Sequence, residues 1–245
     1  MNLKDKTVGQ LVAEDYSKAE VFKKYGIDFC CGGGRTVQDV CEKKGVDYAV
    51  LEKELLNTGR KNANGDNLNA NEWQLDFLAD YIVNVHHTYV RNNIPHLLEY
   101  ADKVAKVHGH ANPETVKIHA LFSEVASELQ THMMKEEKVL FPYIKRLVSA
   151  RQEQAHPEQP PFGTVQNPVR MMETEHEHAG NILKEIRALS NDFTPPAHAC
   201  NTYRVLYFKL QEFEDDLHRH VHLENNILFP KAIEMEREIE MVSKN

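Results

Sequence analysis

His132-Met133-Met134-Lys135-Glu136-Glu137-Lys138-Val139-Leu140-Phe141-Pro142 recurs eighty-eight residues later as His220-Val221-His222-Leu223-Glu224-Asn225-Asn226-Ile227-Leu228-Phe229-Pro230. Each copy sets a Glu four residues after a His and ends in Leu-Phe-Pro. At 3.6 residues per turn, positions i and i+4 share a helix face, so each copy presents an imidazole and a carboxylate in one direction. The register extends upstream and downstream: Val125 falls on Phe213, Glu128 on Asp216, Leu129 on Leu217, Val139 on Ile227 and Leu140 on Leu228. Two helix pairs of one design therefore make up a bundle, and the first helix of each pair should carry a ligand too.

In the third helical segment that ligand is His176, flanked at helical spacing by Val169, Met172, Ala179, Leu183 and Ile186, while His178 faces outward with Glu175 and Glu185. In the first segment His86 and His87 compete, about 100° apart on the helix. His87 has Val83, Val90, Ile94 and Leu97 at matching offsets and is preferred. A single His/Glu pair at this spacing is usually a surface contact worth a few tenths of a kcal/mol. Two copies in register, both flanked by core positions, argue otherwise, because burying two carboxylates without a cation costs several kcal/mol.

The inventory is then His87, His132, Glu136, His176, His220 and Glu224, from four helices into one core. Imidazole and carboxylate without thiolate suit iron, manganese or zinc rather than copper(I) or an iron–sulfur cluster. Six ligands exceed one tetrahedral zinc and fit two irons, bridged by Glu136 and Glu224, with the histidines terminal. Outer partners expected for the ligands are Glu128 and Asp216, each one turn before a ligand His, and Glu175 beside His176. Pro95, Pro142 and Pro230 should kink their helices.

The rest of the chain frames this bundle. Of 245 residues, 41% are hydrophobic and 27% charged, and fourteen are histidines. A net charge of −8 and the lack of a basic cluster argue against a nucleic-acid partner. No apolar run is long enough for a membrane span, and the N-terminus does not read as a secretory signal, so a cytoplasmic location is expected. Residues 1–57 read as a small helical domain, with Val8, Leu11, Val12, Val21 and Phe22 at helical spacing and Thr36 as a helix N-cap. At its centre Cys30-Cys31-Gly32-Gly33-Gly34 cannot be regular helix. Residues 58–71, rich in Asn and Gly, read as a flexible linker, and residues 72–245 as an up-down-up-down four-helix bundle. The fold class is thus all-α. Four cysteines, two adjacent, do not form a disulfide framework. Cys41 and Cys200 read as small buried hydrophobes. Cys30 and Cys31 are candidates for redox or iron-transfer chemistry, and a helix N-terminus beside them would lower a thiol pKa.

The bundle resembles the hemerythrin-like domains. Phe29-Cys30-Cys31-Gly32-Gly33, preceded by Phe22-Lys23-Lys24-Tyr25-Gly26, together with the two ligand segments, resembles the RIC family of iron–sulfur cluster repair di-iron proteins. The resemblance implies the same six ligands. It also implies a stress protein that restores clusters damaged by nitric oxide or peroxide by supplying iron from a labile di-iron centre. Gly34 departs from that family's pattern, where a basic residue is expected. The expected partners are damaged or apo iron–sulfur proteins, with nitric oxide or oxygen as small ligands, and the long helical surface leaves room for a homodimer. Two other functions remain open: a hemerythrin-like oxygen or nitric oxide carrier or sensor, and a nitric oxide or peroxide reductase drawing electrons from the cysteines. In the donor reading a thiol domain could swing on its tether to the metal or to a client.

Overall fold

The computed structural model describes residues 3–58, 69–155 and 157–242. Residues 59–68 of the expected linker lie outside the described residues. Among the described residues regular structure is helical, with one β-bridge pairing Thr7 and Thr36.

The small domain has four helices: α1 (Val8–Glu14), α2 (Lys18–Lys24), α3 (Val37–Lys44) and α4 (Tyr48–Asn57). Thr7 and Gln10 form a reciprocal capping box that starts α1, with N···O distances of 3.1 and 3.0 Å. Thr36 caps α3 by accepting the Asp39 N–H, and Gly45 ends it at φ 66°. Val8, Leu11, Phe22, Val37, Leu51 and Leu55 are buried between these helices. A core this small is marginal alone. It does not stand alone, because its apolar cluster is continuous with bundle residues that include Leu217 and Val221.

The bundle comprises α5 (Leu75–Tyr81) leading into α6 (Thr88–His108), α7 (Glu114–Lys135) into α8 (Phe141–Glu153), the unbroken α9 (Gln166–Leu189), and α10 (Asn201–Leu223) into α11 (Phe229–Val242). α6 packs on α7, α7 on α9, and α10 on α6, as the up-down-up-down topology requires. One apolar core, with Ile94, Phe122, Val125, Leu183 and Phe213, lies on one side of a buried polar layer. A second, with Leu78, Ile82, Ile144, Met172 and Phe229, lies on the other.

Three of the four helical segments cross that layer through a π-helical turn: Ile82–His87, Glu136–Leu140 and Glu224–Leu228. Two have a visible cause. Pro142 and Pro230 have no N–H for the carbonyl four residues back, and their rings crowd it. The turn before each widens, so that Phe141 N–H donates to Glu136 O and Phe229 N–H to Glu224 O, five residues away. The disturbance expected from these prolines is therefore an extra residue in the turn, placed at Glu136 and Glu224. Pro95 sits within α6, well past its π turn.

Candidate metal centre

The polar layer contains His87, His132, Glu136, His176, His220 and Glu224, each no more than 2% exposed. Their ligating atoms form two groups, His87/His220 and His132/His176, each completed by both Glu136 and Glu224. The four imidazoles converge through Nε2. His87 Nε2 lies 3.1 Å from His220 Nε2, and His132 Nε2 lies 2.9 Å from His176 Nε2. These match the cis spacing of about 3 Å expected for two metal–nitrogen bonds of about 2.1 Å. Glu136 Oε2 stands 3.4 Å from His87 Nε2 and 3.3 Å from His132 Nε2. Glu224 reaches His220 at 3.0 Å through Oε1 and His176 at 3.2 Å through Oε2, so each carboxylate touches both groups. Both oxygens of Glu136 and Oε2 of Glu224 are buried without a hydrogen bond. Such atoms need a cation or another donor, and this chemistry fits a bound metal better than a packed polar core.

Electrostatics point the same way. Burial and the neighbouring Glu224 both push the Glu136 carboxyl up, yet the His132 and His87 imidazoles outweigh them and hold it below its usual value. Burial likewise opposes ionisation of Glu224, but His220 and His176 hold it well below the carboxylate range. Burial pulls His87 down, and the two carboxylates more than reverse this, raising it to about 9. His132 rises to about 10 against burial, driven by Glu136 and then Glu175. His220 is lowered by burial, against the pull of Glu224. The raised His87 and His132 imidazoles thus face the two carboxylates, and a bound cation must displace the protons they carry.

The repeat also builds the surroundings. The residue after each shared Glu turns to a His of the polar layer on the preceding helix: Glu137 Oε1 lies 2.6 Å from His87 Nδ1, and Asn225 Oδ1 lies 2.9 Å from His176 Nδ1. The widened π turn lets two consecutive side chains face inward. The repeated Phe stacks on that same imidazole, Phe141 on His87 at 5.7 Å between centroids and Phe229 on His176 at 6.2 Å. This gives the Leu-Phe-Pro tails their place in the site. Arg91 pairs with Glu137 from outside.

Residues 78–232 match the family described as the hemerythrin HHE cation binding domain, and residues 4–58 match a domain described as of unknown function (DUF542). The probable iron-sulfur cluster repair protein of Haemophilus influenzae is 32% identical over 95% of this chain and 99% of its own. The iron-sulfur cluster repair proteins YtfE of Musicola paradisiaca and Cronobacter sakazakii are each 35% identical, over 95% and 97% of this chain and 98% and 100% of theirs. The chain belongs to the iron–sulfur cluster repair proteins.

In this member of the repair family the remaining site candidates fall as follows. Glu175 Oε2 meets His132 Nδ1 at 2.8 Å and is lowered to about 2, first by that bond and then by Lys135 against burial. Asp216 meets His86 Nδ1 at 3.0 Å rather than any of the six histidines and glutamates of the polar layer, and His86 in turn stacks on His220 at 5.6 Å. Glu128 corrects expectation: its side chain is 46% exposed and pairs at 3.3 Å with His178, which does face outward. One turn of α7 before His132 points it along the surface, where a cavity of about 420 Å³ between α7 and α9 runs from Glu128 and His178 to His132 and His176. Glu137 and Asn225 were not singled out by spacing, although each follows one of the two shared glutamates. What would have found them is the π turn, which has no signature in the periodicity.

The cysteine pair lies against the bundle. The Asp28 Oδ1 atom accepts the N–H groups of Cys30, Cys31 and Gly32 at 3.1, 3.0 and 3.2 Å, and Lys184 of α9 holds Oδ2 at 2.7 Å. Asn226 Nδ2 donates to Phe29 O at 3.1 Å, and a Cβ on Gly33 or Gly9 would meet Asn226 Oδ1 at 2.6 or 2.0 Å. Two of the domain's glycines are therefore set by close approach to Asn226. The expected helix N-terminus beside the thiols is absent, since Cys30 and Cys31 sit in a turn ahead of α3. The Cys30 thiol is pushed up, by the adjoining Cys31 thiol, burial and the Asp28 carboxylate, the opposite of activation. Cys31 Sγ is 3.5 Å from the carbonyl of His176, over Gly180. Cys41 is buried as expected, but Cys200 is exposed, at the start of α10 beside His108. It precedes the first turn of α10, and its thiol touches the bundle only at the C-terminal residue of α6 among the contacts described. No described helix is long and apolar enough to cross a membrane.

Proposed function

We propose that this chain stores two irons and donates iron to damaged iron–sulfur clusters. His87 and His220 hold one ion and His132 and His176 the other, with Glu136 and Glu224 bridging. The observation that carries the reading is the pair of buried groups sharing two carboxylates, three of whose four oxygens have no hydrogen bond. Iron is the cargo, and the ligand chemistry suits its exchange, because neutral imidazole and carboxylate bind it less durably than thiolate cages hold soft metals. Two protons returning to His87 and His132 would neutralise the carboxylates as iron departs. The cavity between α7 and α9 offers the His132/His176 ion a path to the surface. The clients of the relatives, as their names state, are iron–sulfur clusters, and damaged or apo iron–sulfur proteins are the partners proposed here.

The test incubates the iron-loaded protein with an apo iron–sulfur enzyme, measuring recovered activity and iron per chain. Loss of both in Glu136→Leu supports donation; undiminished recovery from that variant refutes it. A second reading, reduction of nitric oxide or peroxide, draws on the contact of Cys31 with the His176 carbonyl. When bound, iron would supply the redox chemistry and the thiols the electrons. Turnover should then vanish in Cys30→Ser/Cys31→Ser with iron retained. A carrier or sensor would instead bind gas reversibly, keep its iron, and need no N-terminal domain.

A further inference from the structure

The geometry points to Asn225 as a positioning residue that joins the cysteine turn to the ligand His176, so that metal occupancy and access to the thiols are coupled. This rests on the metal-site reading above but not on repair activity.

Asn225 uses both ends of its amide. Oδ1 faces His176 Nδ1 at 2.9 Å, and Nδ2 donates to the carbonyl of Cys30 at 3.4 Å. A carbonyl cannot donate, so Nδ2 must face Cys30 O, and Oδ1 is then left to accept from His176 Nδ1–H. That places a proton on Nδ1 and leaves Nε2, which stands 3.2 Å from Glu224 Oε2 and 2.9 Å from His132 Nε2, as the nitrogen available to a metal. Cys31 Sγ adds a second link between the same two elements, at 3.5 Å to the His176 carbonyl.

The pseudo-symmetric partner of Asn225 shows what is particular about it. Glu137 occupies the same place in the first repeat and holds His87 Nδ1, but its other outward contact is Arg91 of the bundle itself. A carboxylate can only accept, so Glu137 could not also hold a backbone carbonyl. The amide at 225 is thus the version of this position that can grip a second domain. Its cost is a weaker hold on the imidazole than a charged acceptor gives. A bound metal fixes His176 and with it Asn225 and the cysteine turn; an empty site releases them. By linkage the effect runs both ways: whatever lifts the turn weakens the hold on metal at His176.

The test uses the full chain in iron-loaded and apo forms, with two readouts: the alkylation rate of Cys31 by iodoacetamide, mapped by mass spectrometry, and iron affinity by chelator competition. In the natural protein, loading should slow Cys31 alkylation several-fold. In Asn225→Asp, Oδ1 still accepts from His176 while the second oxygen repels the Cys30 carbonyl. Iron should stay at least as tightly bound, and Cys31 should react fast whether loaded or apo. In Asn225→Leu both links are lost, and iron affinity should also fall by about 10- to 100-fold. Helicity and melting temperature of Asn225→Asp check that the fold is kept. Equal alkylation of loaded and apo natural protein would overturn the coupling, as would an Asn225→Asp variant in which loading still protects Cys31. Failed cluster repair with the coupling intact would count only against the donor function.

Discussion

Asp28→Asn is the sharpest perturbation of the docked cysteine turn. Burial raises the Asp28 carboxyl, but the Lys184 ion pair and the N–H groups of the turn outweigh it and bring it from 3.8 to about 2. A shift of this size makes the charged form worth about 2 kcal/mol of stability at pH 7. Because the folded pKa is depressed, that contribution is complete above about pH 4 and disappears as pH falls through 2. Asn keeps one acceptor for the three N–H groups and loses the charge facing Lys184. The chain has one tryptophan, Trp73, which lines a small cavity with Val12, Ala13 and Tyr16 of the N-terminal domain, so its emission reports docking. Urea titration followed at Trp73 should show the variant's midpoint lowered by about 1 M at pH 7. The difference from the natural protein should close between pH 4 and 2. A midpoint unchanged at pH 7, or a difference that persists at pH 2, would refute the assignment of Asp28 as the charged anchor of the turn.

Gly33→Ala puts a Cβ 2.6 Å from Asn226 Oδ1 and Phe29 O and should undock the domain, red-shifting Trp73 emission, whereas Gly34→Ala meets nothing within 4 Å and should leave the emission unchanged. Glu175→Gln removes the carboxylate behind His132 and should weaken iron binding by about tenfold in chelator competition, with the fold intact. Iron loading at pH 7.5 in weak buffer should release about two protons per chain, from His87 and His132. This release should fade as pH rises through 9 to 10. Removing the metal should lower the melting temperature by at least about 5 °C, since the ion binds only the folded bundle.

The six-residue inventory could be read before any folding because it depends on local geometry. A His and a Glu four apart share a face in any helix, and the eighty-eight-residue register carried that face from one pair to the other. The preference for His87 over His86 used the same periodicity, and the structure sets His87 among the other five while turning His86 to Asp216. Periodicity failed where contacts cross between helices or domains. Glu128 shares a face with His132 on paper, yet α7 packs so that it pairs with His178 instead. Asp216 meets His86 and not one of the four histidines gathered around Glu136 and Glu224. The prolines marked a disturbance, but not that each widened turn would aim Glu137 and Asn225 at His87 and His176.

By itself the sequence determined an all-helical chain, a duplicated pair of ligand helices and the residues offered to a metal, because helix periodicity and duplication are properties of the chain alone. Tertiary structure decided which groups stand behind the imidazoles, that Cys30 is held protonated while Cys200 is exposed, and that the small domain is fastened over His176 through Asn225 and Asn226. Those outcomes depend on burial and on atoms far apart in sequence coming within 3.5 Å, and no local pattern encodes either.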